Sequence, residues 1–365
     1  MWVCLLVLAS AWVGDGRPAL AQAADAGTRI DDATYIVFEA ASGANTVPVA
    51  MSATGAITGR FFNPGPGIHG FMRTSRGELI TFDAPGSSLT FPAAINAAGV
   101  ITGSYSDSNN RSHAFIRRTD GGFKTFDVPG ASNTGPTSIN ASGTITGSYG
   151  DANHVFHGFL RNAEGQFIAF DAPEADQRPF SPGTAPVEIQ DDGTILGYFV
   201  DTNEIEHGFL RSPKGSITIF DPPGQISAIP FNSYGPSSLS INPAGVITGA
   251  YYEASSGNFR GFILNRDDTF TTFDGADYPP CCAWTFPFAI SAGGIIAGNI
   301  NDGNGINRGF VRARDGSTTI FDAPNAGKGY GLGTFPTAIT PDGKMIMGLD
   351  VDSSDVSHGF VRLAQ

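Results

Sequence analysis

The stretch that decides the fold is Pro92-Ala93-Ala94-Ile95-Asn96, continued by Ile101-Thr102-Gly103, then His113-Ala114-Phe115-Ile116-Arg117 and Phe126-Asp127. This pattern occurs seven times along the chain. Its central glycines are Gly59, Gly103, Gly147, Gly197, Gly249, Gly298 and Gly348. A repeat of about 20–50 residues is typical of solenoids, propellers and arrays. The sequence therefore indicates a repeat protein.

Each repeat divides into four short segments, here named strands a to d. Strand a begins with Pro92, strand b contains Gly103, strand c runs from His113 to Arg117, and strand d ends at Phe126. β-Branched and aromatic residues alternate with small or polar ones, and Gly, Asn and Asp lie between the segments, which indicates strands joined by tight turns. One repeat thus predicts one four-stranded antiparallel sheet, a blade.

The two ends of the chain complement each other. Phe38-Glu39 stands alone before the first full repeat, whereas the last repeat stops at Arg362 without a Phe-Asp element. We therefore predict an all-β fold, a seven-bladed β-propeller in which residues near Thr34–Phe38 complete the last blade. An open β-solenoid is the alternative, although it gives no reason for this arrangement.

Residues 24–365 are predicted to form this single domain, and residues 1–23 a signal peptide. Trp2 to Val13 are apolar apart from Ser10, and Ala19-Leu20-Ala21 and Ala21-Gln22-Ala23 resemble signal-peptidase sites. The apolar run is too short to span a bilayer. We expect a secreted protein, extracellular or periplasmic, without stable membrane insertion.

The formal net charge of −13 limits the classes of partner that the protein is expected to bind. Nucleic-acid binding requires a basic surface, so we expect none. A small-molecule, glycan or protein ligand is compatible with the charge, and we expect a monomer that needs no cofactor. Cys281 and Cys282 are adjacent, and the sequence leaves open whether they form a vicinal disulfide.

The strand-c motif resembles that of the extracellular HAF-type repeat family, named for its His-Ala-Phe signature. His113-Ala114-Phe115 matches it literally, and His69, His157, His207 and His358 are each followed by Gly-Phe. Arg260 and Arg308 replace the His in two repeats. The resemblance implies export and a repeat architecture, and it brings no activity, substrate or catalytic residues.

Residues that recur in every repeat are interpreted as structural. The strand-c histidines lie too far from the axis to share a metal, so we predict a hydrogen bond within each blade and no metal site. The Arg that ends strand c and the Asp of Phe-Asp are predicted to form bidentate ion pairs. The acidic turns after strand b, such as Asp107, are interpreted as Asx turns, although calcium binding stays open.

A binding site is expected where the repeats differ. Four consecutive connections between strand d and the next strand a are long, and we expect them on one face at the channel mouth. Their aromatic and polar residues are the predicted ligand-binding set: Asp176, Arg178 and Phe180; Phe231 and Tyr234; Asp277, Tyr278 and Trp284; Lys328 and Tyr330. Packing of these rings within their own loops is the alternative.

Glu188 breaks the pattern in strand a, where the other repeats have Ala or Ser. A buried carboxylate has a raised pKa, so Glu188 is the one catalytic candidate. The chain contains no Gly-x-Ser-x-Gly elbow and no His-Glu-x-x-His motif. The leading hypothesis is a secreted propeller that binds a ligand through its long loops, with carbohydrate as the first choice. The alternative is an extracellular hydrolase or lyase acting on polysaccharide or a lactone.

Overall fold

A computed structural model describes residues 28–30, 33–62, 65–87, 89–225, 238–253, 255–275 and 283–364 of the chain. All of its regular elements in these ranges are strands. In this part of the chain we find no helix of the length and apolarity that a membrane crossing requires.

The strands are short and follow the repeats closely. In chain order they are β1 (Thr28–Ile30), β2 (Ala33–Phe38), β3 (Asn45–Met51), β4 (Ile57–Phe62), β5 (His69–Arg73), β6 (Leu79–Phe82), β7 (Thr90–Ile95), β8 (Ile101–Ser106), β9 (Ser112–Arg117), β10 (Phe123–Phe126), β11 (Asn133–Ile139), β12 (Ile145–Gly150), β13 (Phe156–Arg161), β14 (Phe167–Phe170), β15 (Thr184–Ile189), β16 (Ile195–Val200), β17 (Glu206–Arg211), β18 (Ile217–Phe220), β19 (Ser240–Ile241), β20 (Ile247–Glu253), β21 (Asn258–Leu264), β22 (Phe270–Phe273), β23 (Ala283–Ile290), β24 (Ile296–Asp302), β25 (Asn307–Arg312), β26 (Thr318–Phe321), β27 (Gly333–Ile339), β28 (Met345–Val351) and β29 (Ser357–Leu363).

The first five repeats form five separate four-stranded sheets, each running a-b-c-d in space. The last two repeats, together with β1 and β2, form one nine-stranded sheet. Within it, β25 and β27 are joined by a single parallel pair, Asn307 with Gly333. The structure therefore has five separate four-stranded blades, and the prediction of seven was wrong in this respect. The shared sheet arises because the connection 322–332 brings Gly333 alongside Asn307.

The proline of strand a is placed where a strand tolerates it. In β3, β7 and β11 the register with the neighbouring strand shifts directly after Pro48, Pro92 and Pro136. Proline has no N–H to donate, and a bulge is one of the few positions in a sheet where this causes no loss. Strand a is therefore bent at the same point in successive blades.

The core lies between neighbouring blades and is dominated by phenylalanine. The Phe that ends strand d packs edge-on against the Phe of strand c in the next blade: the ring centroids of Phe82 and Phe115 are 6.4 Å apart, and those of Phe170 and Phe209 are 6.3 Å apart. The glycine before the strand-c Phe lies under the same ring. A Cβ at Gly158 would lie 2.8 Å from Cζ of Phe170, which explains the Gly-Phe pair.

The predicted pairing of the chain ends is confirmed. β2 pairs antiparallel with β29, with Thr34 opposite Leu363 and Phe38 opposite Gly359. Phe38 packs on Phe71 of the first repeat at 6.0 Å, in a T-shaped contact. The N-terminal strand therefore takes the place of strand d in the last repeat, and the exposed edge that β29 would otherwise present is covered.

If β2 is a full member of the ring, Phe38→Ala should destabilise the protein as much as the same change in an internal blade. Phe273→Ala is the matched control, because Phe38 and Phe273 are both 7 % exposed and each packs edge-on against the next blade. We expect each variant to lose about 3–5 kcal/mol of unfolding free energy, measured by denaturant titration. A Phe38→Ala variant as stable as the parent, beside a destabilised Phe273→Ala, would refute the closure.

Candidate functional site

The ring has two unlike ends. Because the four strands of each blade alternate in direction, the b-to-c turns and the d-to-a connections lie at one end, which we call the loop face. The a-to-b and c-to-d turns lie at the other end, which we call the turn face. Contacts confirm this placement: Phe180 N, in a d-to-a connection, donates to the carbonyl of His154 in a b-to-c turn, at 2.8 Å.

On the loop face four of the five strand-c histidines are held between two carboxylates, and His69 contacts Asp83. His113 Nδ1 lies 2.8 Å from Asp127 Oδ2, and His113 Nε2 lies 3.4 Å from Asp107 Oδ2. His69, His157 and His207 repeat the contact with the Asp of Phe-Asp, and His358 uses Glu39 in its place. The predicted hydrogen bond within each blade is confirmed for these histidines, and it is linked to the b-to-c turn in four of the five.

The predicted pairing of the strand-c arginines was wrong. Their guanidinium groups stack on the phenylalanine that ends strand d of the preceding blade; Arg161 Cζ, for example, is 4.7 Å from the ring centroid of Phe126. The same stacking occurs for Arg73, Arg117, Arg211, Arg312 and Arg362. Burial lowers the pKa of Arg161. The prediction failed because strand c places its Arg at the turn face and its His at the loop face, next to the Asp.

Bidentate ion pairs do occur, at the two positions where Arg replaces His. Arg260 Nε and Nη2 contact Asp274 Oδ1 and Oδ2 at 3.0 and 3.2 Å. Arg308 holds Asp322 in the same way, at 3.0 and 2.9 Å. The guanidinium fork thus replaces the imidazole in the fifth and sixth repeats without loss of the contact.

Charge is distributed unevenly between the two ends. The loop face holds two acidic series, Asp107, Asp151, Asp201, Glu253, Asp302 and Asp352 in the turns, and Glu39, Asp83, Asp127, Asp171, Asp221, Asp274 and Asp322 after strand d. The described Arg and Lys residues at this end are Arg60, Arg111, Arg178, Arg260, Arg308 and Lys328. The stacked arginines lie at the opposite end. The negative charge of the protein is therefore concentrated on the loop face.

The first long connection (171–183) carries Asp176, Arg178 and Phe180. Asp176 is buried, and its carboxylate accepts hydrogen bonds from the backbone N and from Nε of Arg178 at 2.9 and 2.8 Å. Burial raises the pKa of Asp176, but the hydrogen bonds from Arg178 outweigh it and the pKa is lowered. Asp176 therefore holds the connection in place rather than facing a ligand.

Phe180 is displayed on the surface by this connection. Its side chain is 60 % exposed, and its ring stacks on His154 with centroids 4.9 Å apart. Its backbone has φ of 66°, a left-handed conformation that is uncommon for a bulky residue. Strain of this kind persists only where surrounding contacts impose it. The hydrogen bond from Phe180 N to His154 O is such a contact.

The fourth long connection (322–332) repeats this arrangement three repeats further on. Tyr330 is 89 % exposed, and its ring lies over Gly305 of a b-to-c turn so closely that a Cβ at Gly305 would overlap it. Gly331 N donates to the carbonyl of Gly305 at 2.8 Å. Lys328, in the same connection, is exposed.

Trp284 lies at the start of strand β23 rather than in a loop. It is 42 % exposed, and the edge of its ring contacts Phe259 and Phe286, with centroids 5.6 and 6.4 Å away. Phe231, Tyr234, Asp277 and Tyr278 lie outside the described residues, as do Cys281 and Cys282. Asp176 thus contacts Arg178, Phe180 contacts His154, and Trp284 contacts Phe259. The three pairs lie in different parts of the loop face.

Glu188 lies on the innermost strand and links two blades. It accepts hydrogen bonds from Gln190 Nε2 at 2.7 Å, from Ile241 N at 3.2 Å and from Ser240 Oγ at 3.3 Å. Burial raises the pKa of Glu188 to about 7, against the lowering effect of these hydrogen bonds. Its carboxylate is thus engaged by protein donors on both oxygens.

Glu188 belongs to a chain of contacts around the channel. Asn96 Nδ2 donates to Asn140 O, Asn140 Nδ2 to Gln190 O, and Asn242 Nδ2 to Ser291 O, at 3.1, 3.2 and 3.1 Å. One blade before Glu188, Ser138 Oγ accepts from Ile189 N at 3.2 Å, as Glu188 does from Ile241 N. The Asn that ends strand a is therefore a link between blades.

Two further carboxylates were missed by the sequence analysis. Glu206 has a buried Oε1 without a hydrogen-bond partner, and burial raises its pKa to about 8. Asp350 is fully buried, and burial raises its pKa to about 7. Both occupy positions where other repeats have no acid. The comparison of repeats that singled out Glu188 would have identified them if it had been applied to strands b and c.

Two other features bear on ligands. A cavity of about 220 Å³ lies on the turn face between the first two repeats, bounded by Thr54, Met72, Ala98 and Thr119 among others. It is small and contains no charged side chain. Among the described residues, no three His, Cys, Asp or Glu side chains are grouped so that they could hold a metal ion.

No protein-family model and no curated protein matches the sequence. Solved structures match the fold. A structure from a study of two prolyl endopeptidases has a TM-score of 0.53 and 9% identity, over 88% of this chain and 50% of that chain. TolB from Acinetobacter baumannii matches with a TM-score of 0.47 and 14% identity, over 72% of this chain and 61% of that chain. The fold is a β-propeller.

The gluconolactonase XC5397 from Xanthomonas campestris covers 95% of this chain and 99% of its own, with a TM-score of 0.44 and 12% identity. The chain spans 61% of TolB and about half of the peptidase structures that it matches. At these identities the likeness concerns the propeller fold alone.

Glu188 should make the stability of the propeller depend on pH. Because its pKa rises from 4.5 to about 7 on folding, its contribution is fully present below about pH 4.5 and is lost as pH rises through 7. Glu188→Ser keeps a hydroxyl for Ile241 N and does not titrate. We expect the parent to lose up to about 3 kcal/mol relative to this variant between pH 5 and pH 8, measured by denaturant unfolding.

Ser138→Ala is the matched control, since it removes the equivalent acceptor for Ile189 N one blade earlier without removing a titratable group. Its effect should be the same at both pH values. If Glu188→Ser also shifted stability equally at pH 5 and pH 8, the raised pKa would be disproved.

Proposed function

We propose that this propeller binds a ligand through its loop face, and that the ligand is a carbohydrate. The observation that carries the proposal is the position of the exposed rings. Among the described residues the exposed Phe, Tyr and Trp side chains are Phe180, Trp284 and Tyr330, and all three lie at the loop face. Large exposed apolar side chains gathered on one surface commonly mark a binding site.

The rings are held in place before any ligand arrives. The backbone next to Phe180 and to Tyr330 is hydrogen-bonded to a neighbouring b-to-c turn, and Trp284 rests against Phe259. Side chains that are already ordered lose little conformational entropy on binding. Rigid rings with open faces are suited to stack on the apolar face of a sugar ring, while nearby carboxylates and amides accept its hydroxyl protons.

The charge of the loop face narrows the class of carbohydrate. Its two acidic series surround the rings, so an anionic polysaccharide would be repelled, most strongly at low salt. A neutral or amino sugar meets no such barrier. We therefore propose neutral or amino-containing glycans as the ligands and exclude uronic-acid and sulfated polymers.

The test is binding of the purified protein to an immobilised panel of neutral, amino-containing and acidic glycans. The triple variant Phe180→Ala, Trp284→Ala, Tyr330→Ala should weaken binding at least about tenfold, since each lost stacking contact removes roughly 0.5–1.5 kcal/mol. The control is Leu79→Ala with Ile168→Ala, because these exposed apolar side chains lie on outer strands away from the loop face.

The control variant should bind within about twofold of the parent. Equal affinity of the triple variant and the parent would overturn the assignment of the loop face. Binding to acidic glycans alone would overturn the proposed class of ligand.

A hydrolase or lyase acting on polysaccharide or a lactone is the second candidate, and one observation favours it. The pKa of Glu188, raised to about 7, is suitable for a general acid or base near neutral pH. If the protein turns over such a substrate, Glu188→Gln should reduce kcat at least about 100-fold, whereas full activity of this variant would remove the candidate. Its three hydrogen bonds to protein donors favour the structural role.

The architecture that we propose for this function is a closed ring. The nine-stranded sheet is joined at one residue pair, and Phe321 packs on Phe360 across this junction at 6.3 Å in the same way as in the separate blades. The contact between phenylalanines of successive repeats therefore continues through the nine-stranded sheet. We further propose that the protein is a secreted monomer of the HAF-type repeat family.

A further inference from the structure

One residue of the last repeat differs in chemical type from the residues at the same position in the other repeats. The second residue after the strand-b glycine is aromatic in five repeats, Phe61, Tyr105, Tyr149, Phe199 and Tyr251, and is Ile300 in the sixth. In the first four repeats this ring lies against the strand-c histidine, with centroids 5.0–5.4 Å apart. In the last repeat the residue is Asp350, and its cross-strand neighbour is His358.

Asp350 is enclosed with little compensation. Its exposure is 0 %, neither carboxylate oxygen has a partner with the geometry of a hydrogen bond, and the backbone of Asp350 and Asn325 lies close to the carboxylate. The residue opposite it on the other side is Thr334 of β27, which is uncharged. Removing an ionised carboxylate from water without a partner is costly, so this position opposes folding whenever Asp350 is charged.

The charged groups around Asp350 belong to the seam that closes the ring. On β29, His358 faces it; at the end of its own strand, Asp352 raises its pKa, whereas His358 lowers it. His358 Nδ1 lies 3.2 Å from Glu39 Oε1, directly after β2, and His358 Nε2 lies 3.3 Å from Asp352 Oδ2. From the connection 322–332, the backbone of Asn325 approaches the carboxylate. One imidazole thus stands among three carboxylates, and one of these carboxylates comes from the N-terminal strand.

We propose that the seam between β2 and β29 is pH-sensitive, closed most firmly when Asp350 is protonated and opened locally when Asp350 ionises. His358 is shared by Glu39 and Asp352, and through Glu39 it holds the N-terminal strand. When Asp350 ionises, a third negative charge stands close to Glu39 and Asp352 and repels both. This repulsion weakens the contact between Glu39 and the last repeat.

The direction of the effect follows from the cause of the shift. Burial raises the pKa of Asp350 from 3.8 to about 7. The native state therefore holds this proton more tightly than the unfolded chain does, so the stabilisation is complete below about pH 4 and is lost as pH passes 7. β2 pairs with β29 on one side and only with the three-residue strand β1 on the other, so it is the element expected to open first.

The test is hydrogen exchange of the β2 amides in the full-length protein, compared with Asp350→Asn at the same pH so that intrinsic exchange rates cancel. At pH 8.5 the Asn variant should exchange at least about tenfold more slowly in Thr34–Phe38, and at pH 5 the two proteins should agree. Amides of β10, the equivalent strand of the second repeat, serve as the internal control and should not change with the variant. If the parent and Asp350→Asn exchanged their β2 amides at equal rates at both pH values, the proposal would be overturned. The same holds if the variant changed exchange in β10 as much as in β2.

Two further variants keep the test decisive if Asp350→Asn does not fold. Asp350→Tyr restores the residue of the second and third repeats and should slow β2 exchange at pH 8.5 in the same way. Glu39→Gln removes the N-terminal partner of His358 without changing Asp350, and it should speed β2 exchange at pH 5, where the parent seam is closed. A Glu39→Gln variant whose seam behaves like the parent at pH 5 would show that His358 does not hold the strand.

Discussion

The phenylalanine that ends strand d is the contact on which the rest of the ring depends. In the fourth repeat, the Phe220 ring lies over Gly208 of its own blade and is 6.4 Å from Phe262 of the next. In other blades an arginine covers the ring from the following repeat. Each blade therefore needs a phenylalanine from the blade before it. An open chain would leave the first repeat without one, and Phe38 supplies it.

The same dependence explains why repeated polar residues are poor candidates for function. The histidines are held by one or two carboxylates, the strand-c arginines stack on aromatic rings, and the strand-a asparagines donate to the backbone of the next blade. Imidazole and amide groups held in this way have little hydrogen-bonding capacity left for a ligand. The candidates for a functional role are therefore the positions at which the repeats differ, namely the long connections and the isolated carboxylates.

The sequence predicted the strands, their order in each repeat and the closure, because glycine, proline and alternation are local signals whose period shows directly in the chain. It predicted the wrong partner for Arg117 because the choice between Asp127 and Phe82 depends on which end of strand c each side chain occupies, and that depends on register. The sequence did not predict the nine-stranded sheet either, because the pair between Asn307 and Gly333 depends on the path of a single connection. Of the predicted ligand-binding residues, Phe180 and Tyr330 are exposed, whereas the carboxylate of Asp176 is hydrogen-bonded within its own connection.

Three carboxylates at non-acidic positions, Glu188, Glu206 and Asp350, share a physical property that the sequence alone could not give. Each has a pKa raised by burial, so each makes the folded state prefer its proton. The ordinary carboxylates of the loop face act in the opposite sense: hydrogen bonds from the turn backbone lower the pKa of Asp107 and Asp151 and oppose unfolding at neutral pH. Lowering the pH therefore destabilises the turns, whereas it removes the free-energy cost of burying Glu188, Glu206 and Asp350 in their charged forms. Through these groups alone, we expect the protein to be most stable at mildly acidic pH, between the two sets of pKa values.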